Sequence, residues 1–297
     1  MYYQICHRTT YSYSQKVSLR PHVLRLHPRS DAWQNVYQFQ LAINPQPENI
    51  SHYHDLDGNY LIKIWFKTLT ESLECVVKTE VETRQENPFN YLLNIESWAK
   101  QFPFDYPSSL QQQLQPYLRP YQTVFDPDII TLAQEIAQNV GHDPKQFLND
   151  LNQHIYSQCN YIFRETGQPQ SAGITWQQKE GSCRDLAVLF MEVCRVMGLA
   201  SRFVSGYQEG DPDMQEWDLH AWAEIYLPGA GWRGYDPSQG LIVSDRHIAL
   251  VASAIPTYTA PIAGDYIPAT VELAHPVQSR LNNKITIRKL AIPPSQQ

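Results

Sequence analysis

Gly181-Ser182-Cys183-Arg184-Asp185-Leu186-Ala187-Val188-Leu189-Phe190-Met191 is the stretch on which the fold turns, because a polar, glycine-containing loop gives way there to an apolar run. Leu186, Leu189, Phe190, Val193 and Met197 fall at i, i+3, i+4, i+7 and i+11, one face of a helix. Gly198 follows, where a helix commonly stops. Cys183 is therefore expected in the first turn of a buried helix, beside unpaired backbone N–H groups and the positive end of the dipole. Such surroundings lower a thiol pKa and make a thiolate available near neutral pH. A nucleophile is expected there, whereas Cys194, mid-helix beside Val193, reads as core.

A thiol nucleophile needs a base, and the base needs an orienting group. Downstream, Ala221 to Leu227 and Trp232 to Tyr235 read as two strands of a hairpin around Pro228-Gly229-Ala230-Gly231. His220 begins the first strand and Asp236 ends the second. A turn centred on Gly229 sets Asp236 opposite Trp222, two residues from His220, so the two side chains share a face within diagonal reach. A slip of one residue would separate them. Trp222, on the same face as His220, is the candidate to line a substrate groove, with core filling as the alternative. Asp218 and Glu224 could tune His220 or pair with arginines such as Arg233.

Further upstream the texture changes twice. Residues 1–90 read as a β-rich domain, with strands at Tyr2 to Tyr13, Val36 to Ile43, Tyr60 to Thr68 and Leu73 to Thr83 and a hairpin turn at Asp57-Gly58. Residues 91–127 form a Pro-, Gln- and aromatic-rich connector, too apolar for a solvated linker and so expected to lie over a surface. Residues 128–297 hold the core, with a helix ending at Gly141, a second opened by Asp143-Pro144, a short strand at Tyr161 to Arg164 and another at Ser201 to Tyr207. The tail from about Ser244 is expected to add a strand or two and to fray.

A net charge of −7 and a sequence without basic runs argue against nucleic acid. No apolar stretch could span a bilayer, no secretory leader is visible, and five irregularly spaced cysteines suit a reducing compartment. A cytoplasmic protein is expected. Asp55-Leu56-Asp57-Gly58-Asn59 lacks the glycine and bidentate glutamate of a calcium loop, and no metal or other cofactor is expected. His7 and His22 read as hydrogen-bonded structural histidines.

Together, Gly181-Ser182-Cys183-Arg184-Asp185, Asp218-Leu219-His220-Ala221-Trp222-Ala223-Glu224 and Gly231-Trp232-Arg233-Gly234-Tyr235-Asp236-Pro237-Ser238 resemble the core motifs of bacterial transglutaminase-like proteins. Arg202 to Tyr207 matches as well. Tyr11-Ser12-Tyr13, Leu24-Arg25-Leu26-His27-Pro28-Arg29 and Asp57-Gly58-Asn59 resemble the β-domain that precedes that core. The resemblance implies an α+β fold: a papain/transglutaminase-like core, its Cys helix packed on an antiparallel sheet, preceded by an all-β domain. It departs at Ala252-Ser253-Ala254-Ile255-Pro256-Thr257, where many relatives carry a Gly-Arg-Asp-like segment, and it implies no calcium activation. The implied chemistry is attack of Cys183 on a protein or peptide amide, His220 moving protons and Asp236 orienting it. The oxyanion would meet the Cys183 backbone N–H and a second donor, for which Trp176 is the candidate. The alternatives are a cysteine peptidase of the same superfamily, an arylamine N-acetyltransferase-like enzyme, and a non-catalytic protein-binding scaffold.

Overall fold

Period-two alternation runs unusually far at the start of the chain. In the computed structural model, which describes residues 1–93, 97–164, 166–210, 217–269 and 276–291, it forms strand β1 (Tyr2–Leu19), with Tyr3, Ile5, His7, Thr9, Tyr13, Val17 and Leu19 buried. Next come β2 (His22–Leu24), β3 (Gln34–Asn44), β4 (Asn49–His54), β5 (Tyr60–Trp65) and β6 (Leu69–Thr83). Asp57-Gly58 makes the turn between β4 and β5, with Gly58 at φ +73°, a conformation glycine adopts without steric cost. Strand β4 has no alternation to read, because all six of its residues are exposed.

The connector is more structured than its composition suggests. Helix α1 (Ser108–Leu118) lies inside it, and its period is obscured because Pro116 interrupts it and only Leu114 is fully buried. Phe102, Phe104 and Tyr106 join the main core, which accounts for the aromatic content. Helices α2 (Pro127–Asn139) and α3 (Pro144–Gln158) each start with proline after an aspartate cap, where the missing N–H costs nothing. The strand expected at Tyr161 to Arg164 shrinks to β7 (Asn160–Tyr161). It pairs in parallel with β8 (Glu180–Gly181), with α4 (Ala172–Gln178) between them.

Helix α5 (Cys183–Val196) buries Leu186, Val188, Leu189, Phe190, Met191 and Val193. Each such side chain stabilises by roughly 1.5–3 kcal/mol. Its partner is an antiparallel sheet in the order β12-β11-β10-β9-β13, made of β9 (Ser201–Gln208), β10 (His220–Leu227), β11 (Gly231–Asp236), β12 (Leu241–Ile242) and β13 (His247–Ser253). An all-β region of antiparallel sheets followed by helices packed on this sheet makes the fold α+β.

The tail does something the sequence reading did not anticipate. Strands β14 (Ile262–Ala263), β15 (Tyr266–Pro268) and β16 (Ser279–Leu290) leave the core and return to the N-terminal sheets. Strand β16 runs antiparallel along β1, from Tyr2 opposite Leu290 to Tyr13 opposite Ser279. The unit read as 128–297 therefore gives its last strands to the β-domain. Alternation explains the placement: Ile285 and Ile287 are buried while Lys284 and Arg288 face out. The end expected to fray, residues 292–297, lies outside the described residues. Among the described residues no helix is long and apolar enough to cross a membrane.

Two carboxamides fasten the β-domain to β13, an edge strand whose outer backbone groups need partners. Gln34 accepts from the Ala249 N–H at 2.8 Å and donates to its carbonyl at 2.9 Å. Asn59 does the same at Ala252, at 2.9 and 2.7 Å.

Candidate active site

Asp185 fixes the loop that presents Cys183. Its Oδ2 accepts from the Ser182 N–H at 2.8 Å and from the Ser182 hydroxyl at 2.7 Å. Its Oδ1 accepts from Arg164 at 2.5 Å and from the Gln170 N–H at 2.7 Å. The residue is fully buried, and with every lone pair engaged its charge is tolerable there. Gly181 is required beside it, since a Cβ at that position would lie 2.9 Å from the Asp185 Cβ. Asp185 therefore acts as a latch on the first helical turn. Cys183 emerges from that turn 7% exposed, on the wall of a cleft.

His220 and Asp236 meet as the hairpin register requires. Ala223 pairs with Tyr235, so the register continues to Trp222 opposite Asp236. His220 Nε2 lies 2.7 Å from Asp236 Oδ2, and the Cys183 side chain is within hydrogen-bonding reach of the same imidazole. Burial pushes the His220 pKa down, but the Asp236 carboxylate and Cys183 outweigh it and leave the pKa well above the usual histidine value. Burial alone would raise Asp236, yet His220 and then His247 hold it well below the usual carboxylate range.

His247, which the sequence reading left aside, is the fourth member of this group. Its Nε2 lies 3.4 Å from Asp236 Oδ2. Ser238 donates to Asp236 Oδ1 through its N–H at 3.1 Å and its hydroxyl at 2.7 Å. The carboxylate is thereby satisfied on both oxygens. Burial lowers the His247 pKa despite Asp236, so a neutral ring donates through Nε2–H, and its Nδ1, without a partner among the described residues, remains a bare lone pair. The usable sequence signal was Asp245-Arg246-His247, eleven residues after Asp236 and starting a strand, but nothing local tied it to the hairpin.

His220, Asp236 and His247 also bring three donor atoms within 4.8 Å of one another, as a metal site would. The 2.7 Å contact between His220 and Asp236 is a hydrogen bond. Two ligands at roughly 2.0–2.2 Å on a tetrahedral ion stand about 3.4 Å apart. The group as folded is a hydrogen-bonded one.

The two tryptophans lie elsewhere than expected. Trp222 is 1% exposed and packs with Val204, Val243 and Ala252, edge-on to His247 at 5.2 Å between ring centres. It fills the layer behind the histidines because Gly206, opposite His220, leaves room for it: a Cβ there would lie 2.6 Å from the indole. Trp176 sits half-buried on α4 between His154 and the Lys179 ammonium, and the cleft wall is built without it. Glu224 pairs with Arg202, at 2.6 Å, while Arg233 stacks on Trp33 and Tyr91.

The cleft holds about 640 Å³. One side is the start of α5 with Tyr161, Phe163, Arg164 and the segment from Thr166 to Pro169. The other is built from β1 and β16, through Thr9, Tyr11, Leu281 and Asn283, with Pro256 to Ile262 closing the end. The five cysteines are all free thiols, and Cys183 alone among them lines this cleft.

Residues 3–82 match the bacterial transglutaminase-like N-terminal region, and residues 130–237 match the transglutaminase-like superfamily core. An uncharacterized protein of Mycobacterium tuberculosis is 28% identical over 268 residues, covering 84% of this chain and 82% of its own length. A protein-glutamine gamma-glutamyltransferase of Pseudomonas aeruginosa is 33% identical over 67 residues, 20% of this chain and 10% of that one. A solved structure from Cytophaga hutchinsonii, described as a candidate cysteine protease, superposes with a TM-score of 0.70 at 17% identity. That superposition spans 99% of this chain and 93% of the other, and shares the fold. With both matched regions present in order, and Cys183, His220 and Asp236 all inside the second, the chain belongs to the transglutaminase-like superfamily and carries its bacterial N-terminal region.

Proposed function

We propose that the protein is a cysteine-dependent amide acyltransferase or hydrolase, acting on protein or peptide amides through Cys183, His220 and Asp236. The observation that carries this reading is the placement of His220 between a cleft-facing thiol and a saturated, buried carboxylate. With its pKa raised, His220 holds a proton at neutral pH, and Cys183 Sγ is the nucleophile beside it. Sulfur attacks the amide carbonyl carbon and the oxyanion faces the Cys183 backbone N–H, which has no acceptor within the helix. The C–N bond breaks as His220 gives its proton to the leaving nitrogen, and a thioester remains. Water or a primary amine then loses a proton to His220 as it attacks the thioester, and the C–S bond breaks. Asp236 keeps the imidazole oriented throughout and favours its charged form in the steps where it holds the proton, and His247 and Ser238 hold Asp236. Five free thiols fit a reducing compartment, so the proposed setting is cytoplasmic.

The test is incubation with glutamine-containing peptides, with and without a primary amine, read by mass spectrometry. A thioester on Cys183 and a new amide bond to the amine support transfer, and peptide or side-chain hydrolysis supports the hydrolytic branch. Turnover that survives Cys183→Ala would overturn the reading.

A further inference from the structure

A buried chain of hydrogen bonds crosses from the catalytic sheet to the far wall of the cleft, and the proton positions along it are determined. Tyr207 on β9 and Nδ1 of His7 on β1 are 3.0 Å apart, His7 Nε2 and Thr9 Oγ1 are 3.0 Å apart, and Thr9 Oγ1 donates to Asn283 Oδ1 on β16 at 2.8 Å. The Thr9 proton goes to Asn283, so Thr9 accepts from His7 and the His7 proton is on Nε2. Nδ1 therefore accepts, and Tyr207 donates to it. A neutral ring is what this sequence of donors needs. Burial supplies it by pushing the His7 pKa down to about 4, against the opposing effect of Asn283. Tyr207, fully buried, keeps its proton because burial pushes the phenol far above its ordinary range.

The carbonyl edge of Asn283 is thus turned to the protein, toward a threonine that is 4% exposed. The amide –NH2 is the edge left for the cleft that Asn283 lines together with Cys183 and His220. Around it this wall is uncharged. Leu281 and Ile262 are apolar, and Tyr11 is a neutral phenol whose pKa burial pushes up to about 12.

The geometry points to Asn283 as a substrate-specificity residue: its –NH2 donates to a neutral amide carbonyl of a bound polypeptide, and Tyr207, His7 and Thr9 are positioning residues that keep the donor edge toward the cleft. This deepens the proposed function, since it names the group recognised at the same site, and it gives the β-domain a part in choosing the substrate. A neutral donor on this uncharged wall suits a neutral amide carbonyl, while the charged side chains of the cleft, Arg164, Arg184, Asp218 and His220, lie on its other walls.

The test uses the full chain and methyl methanethiosulfonate, a thiol reagent with no carbonyl for Asn283 to hold. N-acetylglutamine methylamide and its norvaline analogue, which lacks the side-chain carboxamide, serve as protecting ligands for Cys183. In Asn283→Ala the half-protecting concentration should rise about tenfold, in Thr9→Val about threefold in the same direction, and Thr9→Ser should restore it. The unprotected modification rate should stay that of the wild type, showing an intact nucleophile loop. Protection by both ligands assigns the bond to a backbone carbonyl and protection by glutamine alone to the side chain, and both support the inference. Unchanged protection in Asn283→Ala, or no protection of the wild type by either ligand, overturns it. Turnover measured in parallel separates the two claims. Protection lost in Asn283→Ala without wild-type turnover counts against acyl transfer alone, and turnover with an unchanged kcat/KM in Asn283→Ala counts against Asn283 alone.

Discussion

On one side of the cleft, Ser182, Cys183, Arg184 and Asp185 are neighbours in the chain, held by contacts among themselves and with Arg164. On the other side, Thr9 and Asn283 are also neighbours, but 274 positions apart. The first wall needs a helix start and a capping carboxylate, which a short motif can encode. The second exists only because β16 lies beside β1 in one register, and a one-residue slip would turn Asn283 away from the cleft. The proposed chemistry is thus written locally and the proposed selectivity through topology, so changes to the two walls should fail in different ways.

The sharpest break in that comparison is Cys183→Ala, which should lower turnover by at least about 10⁴-fold and abolish thioester formation while leaving the melting temperature within a few degrees. Asp236→Asn comes next, with a loss of about 10²–10⁴-fold in kcat. It should also move the alkaline limb of the pH–rate profile down toward the ordinary histidine value of 6.5, because the raised His220 pKa depends on that carboxylate. The linked stability follows the same signs. The His220 contribution is present below its unfolded pKa and is lost as pH rises through the raised folded one. The Asp236 contribution is present above 3.8 and is lost as pH falls through its depressed folded value. Urea titrations across pH should find both dependences in the wild type and neither in Asp236→Asn. A wild-type pH profile of stability identical to that of Asp236→Asn would refute the ion pair.

His247→Phe keeps a ring against Trp222 but removes one donor to Asp236. A loss of about tenfold in kcat with KM unchanged is expected, and an unchanged kcat would make His247 a packing residue only. The smallest effect should come from Trp176→Phe, within about twofold in kcat/KM, because the cleft is built without that side chain. A loss of a hundredfold there would return Trp176 to the oxyanion site.

The legibility of the sequence divides along the same line. Helix α5 could be read because its apolar period, the polar glycine-containing loop before it and Gly198 agree, and the β10–β11 hairpin because a tight turn sets its register. Trp222 could be placed on the His220 face but not in depth, since its burial depends on Gly206 across the neighbouring strand and on β13 beyond it. The partnership of His247 with Asp236 was illegible for the same reason. Likewise β16 carries a plain alternating pattern, yet nothing within Ser279–Leu290 says that its partner is the first strand of the chain. Long-range pairing is decided by which edge is free when everything else has folded, and a linear pattern does not show that.

The pairing of β1 with β16 also sets a timetable. A chain emerging from the ribosome completes Cys183, His220 and Asp236 some forty residues before Ser279 is made. Until β16 docks, β1 has an open edge, and the thiol lies in a trough with one side missing rather than in a cleft. Any discrimination that depends on Asn283 therefore begins only once β16 has docked, and a nascent chain would hold the proposed nucleophile before it held the proposed means of choosing what to attack.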